Sequence, residues 1–279
     1  MQQPSRGILA PLFHLLVLAI LVATSAMAAA TKPTIVIVPG AWQLPNAWDE
    51  FRAVLARANH QSYHVALPSV GGTELPLTGL AEDVAAVQHV VGGLADHGDD
   101  IILLCHSSGG VVGSNAVQGY DRATRQAAGK VGGVVRVVYL SAFMLPVGKS
   151  LMDMLGGQPL PWMIVDNDRV TGDPAQMPEI GFNDLPADEK AYWATQVTWT
   201  SAALFASPSQ FAPWNNGIPC SYIFQTIDNA LPLNLQQAMA QQIQAAPNPL
   251  EASIDAGHCG FLSMPGALLG ALKDVIGGN

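Results

Sequence analysis

The sequence predicts one doubly wound α/β domain with a mostly parallel sheet and a helical cap insertion. Three observations predict it. Short apolar runs rich in β-branched residues recur along the chain, amphipathic stretches separate them, and one long segment interrupts the alternation. The runs suit strands buried on both faces, and the alternation with helices suits a parallel sheet.

The elements follow in order. Thr34–Val38, Ile101–Leu104, Val134–Leu140 and Ser221–Gln225 are the strongest strand candidates, with Ser62–Ala66 and Glu251–Asp255 weaker ones. Asn46–Ala58 places Trp48, Phe51, Val54 and Leu55 on one helical side, and Leu80–Leu94 does the same with Leu80, Val84, Val87 and Val91. Ser107–Ala128, Leu233–Gln244 and Ala267–Ile276 complete the helices. From about Pro146 to Pro219 no strand run appears, a gap far longer than the few residues of an ordinary connection. Its Met and Trp side chains and a helix expected after Pro186 mark it as a cap over the carboxyl edge of the sheet, where open α/β sheets bind ligands.

Composition narrows the function. The chain of 279 residues is 49% hydrophobic and 12% charged, so it can fill a core and still line a pocket. A net charge of −9 and the lack of any Lys/Arg cluster exclude a nucleic-acid partner. Residues 1–28 read as a secretory signal: Arg6 precedes the uncharged stretch Ile8–Ala23, and Ala26-Met27-Ala28 is a small-x-small cleavage site. The alternative is an uncleaved anchor, against which Pro11 and His14 count. The expected location is therefore secreted or secretory, with residues 29–279 forming the domain. Cys105, Cys220 and Cys259 leave at least one free thiol and give no disulfide framework. No His pairs with Cys or carboxylate at metal-ligand spacing, so neither a metal nor an organic cofactor is expected.

The chemistry is concentrated at the ends of predicted strands. Ile101-Ile102-Leu103-Leu104-Cys105-His106-Ser107-Ser108-Gly109-Gly110 runs from a buried strand through serine into a small-residue helix, the context of a nucleophile elbow. Such a turn brings together the residues two before and two after the nucleophile, so both must be small. Cys105 and Gly109 satisfy this for Ser107, whereas Ser108 would need His106 in a tight place; Ser107 is the candidate nucleophile. His258 follows the last predicted strand, where the general base belongs in the chain order Ser, Asp, His. The other histidines read as surface or packing residues. Asp228, at the end of Tyr222-Ile223-Phe224-Gln225-Thr226-Ile227-Asp228, is the candidate acid, preferred to Asp255 within the last strand. Val38-Pro39-Gly40-Ala41-Trp42 follows the first strand, and the amides of Ala41 and Ser108 are the expected oxyanion donors.

With these stretches in hand, PGAW (39–42), HSSGG (106–110), YIFQTIDNALP (222–232) and DAGHCGFLSMP (255–265), the sequence resembles the α/β-hydrolase superfamily, in particular small esterases akin to plant salicylate methyl esterases and hydroxynitrile lyases. Phe182-Asn183-Asp184 before the cap helix resembles bacterial and fungal members. The resemblance implies the α/β-hydrolase fold and a serine-dependent carboxylic ester hydrolase. It departs in carrying Pro39-Gly40 for the usual His-Gly and Cys105 for the elbow's first glycine. Cys259 stands where hydroxynitrile lyases have lysine, which argues against cyanohydrin cleavage; Ser107 argues against the aspartate-dependent dehalogenases and epoxide hydrolases.

The expected reaction is hydrolysis of a carboxylic ester, lactone or thioester, with carbon–carbon hydrolysis of diketones also open. The expected partner is a small, apolar, ester-like substrate. Trp42, Trp162, Trp193 and Trp199 are the candidate pocket residues. The alternatives are a non-catalytic ligand-binding protein on this fold and an accessory hydrolase of secondary-metabolite biosynthesis.

Overall fold

A computed structural model describes residues 32–72 and 77–277. The expected signal segment, residues 1–28, and its expected cleavage site lie outside them. Six strands form one sheet: β1 (Thr34–Val38), β2 (Ser62–His64), β3 (Asp100–Ser107), β4 (Gly133–Ala142), β8 (Cys220–Gln225) and β9 (Leu250–Ile254), in the order β2-β1-β3-β4-β8-β9. Every pairing in it is parallel. The inner strands β1, β3, β4 and β8 are buried along nearly their whole length, whereas the edge strand β9 alternates half-buried and exposed residues. That difference is why the inner runs are continuously apolar and the edges read weakly.

Helices cover both faces. Helix α1 (Asp49–Arg57) packs against α11 (Pro265–Ile276), and α2 (Leu80–His97) packs against α3 (Gly109–Ala116). The single helix expected over Ser107–Ala128 is two: α3 ends, Gly119 turns the chain at φ 79°, and Asp121 starts α4 (Arg122–Ala127) by accepting the Thr124 amide. After β1 the chain moves outward to β2, and then returns to the other side of β1 with β3. The carboxyl ends of β1 and β3 therefore flank the point where strand order reverses, the crevice that binds ligands in open α/β sheets.

The cap differs from the helical insertion expected. It holds the short helices α5 (Leu151–Met154), α6 (Met177–Ile180), α7 (Ala187–Gln196) and α8 (Ala202–Ala206). It also holds a three-stranded antiparallel sheet of β5 (Met163–Asp166), β6 (Arg169–Gly172) and β7 (Thr200–Ser201), hidden in the sequence by its shortness. Asn167 makes the β5–β6 turn at φ 54°, a conformation asparagine tolerates. The cap is tied to the main domain beside β1: the Thr198 amide donates to the Trp42 carbonyl, the Trp42 amide to Thr200 Oγ1, and the Ser201 amide to the Ser69 carbonyl. Helices α9 (Leu233–Ala240) and α10 (Gly260–Ser263) complete the domain. No helix among the described residues is long and apolar enough to cross a membrane.

Candidate active site

Ser107 ends β3 with φ 53°, a left-handed backbone that a serine adopts only when its surroundings impose it. Packing around it imposes the turn. A Cβ on Gly109 would strike the carbonyl oxygens of Val38 and Pro39, and one on Gly110 would strike that of Phe143. A Cβ on Gly40 would lie 2.7 Å from the Ser107 Cβ. Cys105 fits because Gly113 leaves its sulfur room. Both flanking residues are small, as expected, but for a different reason: Gly109 lies against the end of β1 and Cys105 against Gly113, not against each other.

His258 lies in the loop between β9 and α10, and its Nδ1 pairs with Asp228 Oδ2 at 2.7 Å. Asp228 sits just beyond β8, nearly fully buried. Its Oδ1 accepts the amides of Ala230 and Leu231, both at 2.8 Å, and Oδ2 also accepts the Ser141 hydroxyl at 2.5 Å. Four donors thus fix the carboxylate. With Nδ1–H donating to Asp228, the other ring nitrogen of His258 is left to accept a proton. Ser107, Ser108, Ala41, Trp42 and His258 all line one cavity. No hydrogen bond joins Ser107 to His258 among the described residues.

The rest of that cavity is apolar: Phe143, Leu151, Leu155, Leu160, Trp162, Met163, Phe205, Ala230 and Leu231. Trp162 meets Trp42 edge-on at 5.4 Å, so one cap residue and one strand-end residue form a shared wall. Two of the four expected tryptophans are elsewhere. Trp199 lies along a separate groove of the cap, under the Arg169 guanidinium at 4.5 Å, and Trp193 packs on α7 against its neighbour Tyr192. Richness in tryptophan marks an apolar segment without saying which face each ring takes.

Several residues that shape the site were not singled out in the sequence. Ser141 is the extra residue where the β3–β4 register shifts, and its φ of 38° turns its hydroxyl onto Asp228. Gln225 donates to the His258 carbonyl at 2.7 Å and accepts the Gly260 amide at 2.9 Å, bracketing the histidine. His106, read as a packing residue, also donates to that carbonyl through Nε2 at 2.9 Å, while its Nδ1 accepts from Gln43 at 3.1 Å. Burial, and then the nearby His258, hold the His106 pKa well below its ordinary value, so it is a neutral donor. All three cysteines are free and buried. Burial, followed by the Asp228 and Asp184 carboxylates, pushes the Cys259 thiol well above its usual range. No group of His, Cys, Asp and Glu that could hold a metal ion occurs among the described residues.

The profile of the Alpha/beta hydrolase family matches residues 35–271, most of the chain, from β1 into α11. The chain belongs to the alpha/beta hydrolase family. This hydrolase is 27% identical over 252 residues to the alpha/beta hydrolase nvfD of Aspergillus novofumigatus, covering 88% of this chain and 97% of that one. Among solved structures it is similar to a pyrethroid hydrolase from Sphingobium faniae, with a TM-score of 0.66 and 21% identity over 88% of this chain and 98% of that chain. It is also similar to an extracellular alpha/beta-hydrolase from a Paenibacillus species, described as homologous to tobacco salicylic acid binding protein 2, with a TM-score of 0.69 and 17% identity over 87% and 98%. The resemblance to the salicylate esterase group seen in the motifs is thus met again in the fold.

Proposed function

We propose that this hydrolase uses Ser107, His258 and Asp228 to cleave an ester-type bond in a small, apolar, uncharged substrate. The observation that carries the proposal is Ser107, in its left-handed turn, sharing the wall of one apolar cavity with a His258 already oriented by Asp228. Ser107 Oγ attacks the substrate carbonyl carbon while His258 Nε2 takes its proton. The Ser107–His258 hydrogen bond forms as substrate enters, since such bonds commonly tighten only in the complex. The amides of Ala41 and Ser108, both lining the cavity, hold the oxyanion. Collapse expels the alcohol, which takes the proton from His258 and leaves an acyl group on Ser107. Water then attacks the ester so formed and gives its proton to His258, which returns it to Ser107 Oγ as the acyl–oxygen bond breaks and the acid leaves.

The substrate class follows from the lining. It includes no Lys or Arg, so a free carboxylate near the scissile bond finds no counter-charge and is desolvated at a cost. Carboxylic ester, lactone and thioester share this chemistry, and export directed by residues 1–28 belongs to the same proposal.

Labelling by a fluorophosphonate probe tests the nucleophile. Wild type and Ser108→Ala should be labelled, and Ser107→Ala should not, with kcat on an activated ester falling on the order of 10⁶-fold in the latter. Undiminished labelling of Ser107→Ala would overturn the assignment. Binding of apolar esters with neither labelling nor turnover in the wild type would indicate a ligand carrier instead.

A further inference from the structure

We propose that Asp184, with Asn183, is a positioning residue of the active site, through which the cap aligns both loops that carry Asp228 and His258. The inference rests on the triad reading above. Three hydrogen bonds from one cap segment, residues 179–184, carry it. Asn183 Nδ2 donates to the carbonyl of Ile227, at 2.8 Å, immediately before Asp228. Asn229 Nδ2, immediately after Asp228, donates to the carbonyl of Glu179 at 2.8 Å. The Gly257 amide, immediately before His258, donates to Asp184 Oδ2 at 2.8 Å. The cap therefore grips the chain on both sides of the acid and on the near side of the base. Between those loops the main domain supplies the Ile227 amide to the Ala256 carbonyl at 3.2 Å.

Asp184 reaches further. Its Oδ2 also accepts the Ser263 hydroxyl at 2.5 Å, so a single carboxylate oxygen joins the start of the histidine loop to α10 beyond it. Gly257 is fitted to this contact. A Cβ there would stand within 2.6 Å of both Asn183 Oδ1 and Asp184 Oδ1. Those two oxygens are buried and have no hydrogen-bond partner among the described residues, an arrangement that costs stability. A carboxylate whose only partners among the described residues are the backbone before the base and the helix after it, on a segment that also holds both flanks of the acid, acts on the Asp228–His258 pair and not on the substrate.

The test compares Asp184→Ala with Asp184→Asn. The asparagine amide oxygen can take the place of Oδ2 and accept from Gly257 and Ser263; alanine cannot. With p-nitrophenyl butyrate, Asp184→Ala should lower kcat about 100-fold with KM within threefold, the scale of loss from a small misplacement of reacting groups. Asp184→Asn should stay within about fivefold of wild type. The low-field proton resonance of His258 Nδ1–H, assigned with His258→Ala, should vanish or shift in Asp184→Ala and persist in Asp184→Asn. Should Asp184→Ala not fold, Asn183→Ala, which removes only the bond to Ile227, should lower kcat about tenfold. Asp184→Ala with wild-type kcat and resonance, or Asp184→Asn as impaired as Asp184→Ala, would overturn the inference. Failure of the triad reading shows separately, as labelling that survives Ser107→Ala, and the resonance reports on positioning even then.

Discussion

At the carboxyl ends of the strands, the side chains of Ser107, Asp228, Gln225 and His106 are buried and, Ser107 apart, each is held by hydrogen bonds between parts of the chain far apart in sequence. In the cap, Ile164, Val165 and Tyr192 are roughly half exposed, and many side-chain bonds are local and solvent-facing, such as Asn167 to Asp166 and Gln176 to Asp173. The two regions meet on one cavity. On the proposed reading, chemistry falls on the part that cannot shift without breaking buried bonds, and selectivity on the part that can. The contacts of Asn183 and Asp184 join the cap to the two loops that carry Asp228 and His258.

The same substitution should therefore cost very different amounts in the two regions. In Gly109→Ala the added Cβ meets backbone oxygens on β1 and the loop after it, which cannot move without opening the sheet at the elbow. We expect a loss of about 3–5 kcal/mol, or no soluble protein. Gly156, in the cap, has open space around its Cβ position and only a positive φ of 80° to penalise a side chain. Gly156→Ala should cost about 1–2 kcal/mol. Urea denaturation measures both. Equal costs would mean that the elbow is no tighter than a cap turn.

The second prediction acts on selectivity alone. Trp162 forms cavity wall with Trp42, so Trp162→Ala widens the cavity without touching the residues that hold Asp228 or His258. In the wild type kcat/KM should rise with acyl chain length by close to fourfold per CH₂, about 0.8 kcal/mol each, until the chain outgrows the cavity. In Trp162→Ala the optimum should move to longer chains, short esters should lose about tenfold, and fluorophosphonate labelling should remain. An unchanged chain-length profile would show that the cap does not set selectivity.

How much of this was legible in the sequence differs in the same way between the regions. The inner strands are buried on both faces, so Ile101–Leu104 and Thr34–Val38 declare themselves by composition alone. Ser107, Asp228 and His258 are legible because the chemistry proposed for them requires those residue types at strand ends in that order. The cap strands are only two to four residues long and sit among Pro, Gly and Asp, so no period emerges. Ser141, Gln225 and Asp184 act through partners 33 to 87 residues away, and a serine, a glutamine and an aspartate in such places carry no local signal. Trp193 and Trp199 show the converse: an informative residue type whose facing direction only the fold decides.

The smallest expected effect lies at the seam between the regions. Asp83 interrupts the buried stripe of α2 formed by Leu80, Val87, Val91 and Ala95, and its carboxylate accepts the Ser69 amide at 2.9 Å and hydroxyl at 2.6 Å. Ser69 in turn gives its carbonyl to Ser201 of the cap. Burial raises the Asp83 pKa from 3.8 to about 6, outweighing the Ser69 hydrogen bonds that lower it. The folded protein therefore holds a proton more tightly than the unfolded chain. The stability this gives is fully present below pH 3.8 and is lost as pH rises through about 6. Asp83→Asn removes the charge and can keep both contacts, with its oxygen accepting the Ser69 amide and its nitrogen donating to the hydroxyl. Relative to wild type, the variant should gain about 1–2 kcal/mol in urea denaturation between pH 4 and pH 7.5. A difference that stays flat across that range would mean that water reaches Asp83, and that the seam between cap and sheet is open where it should be closed.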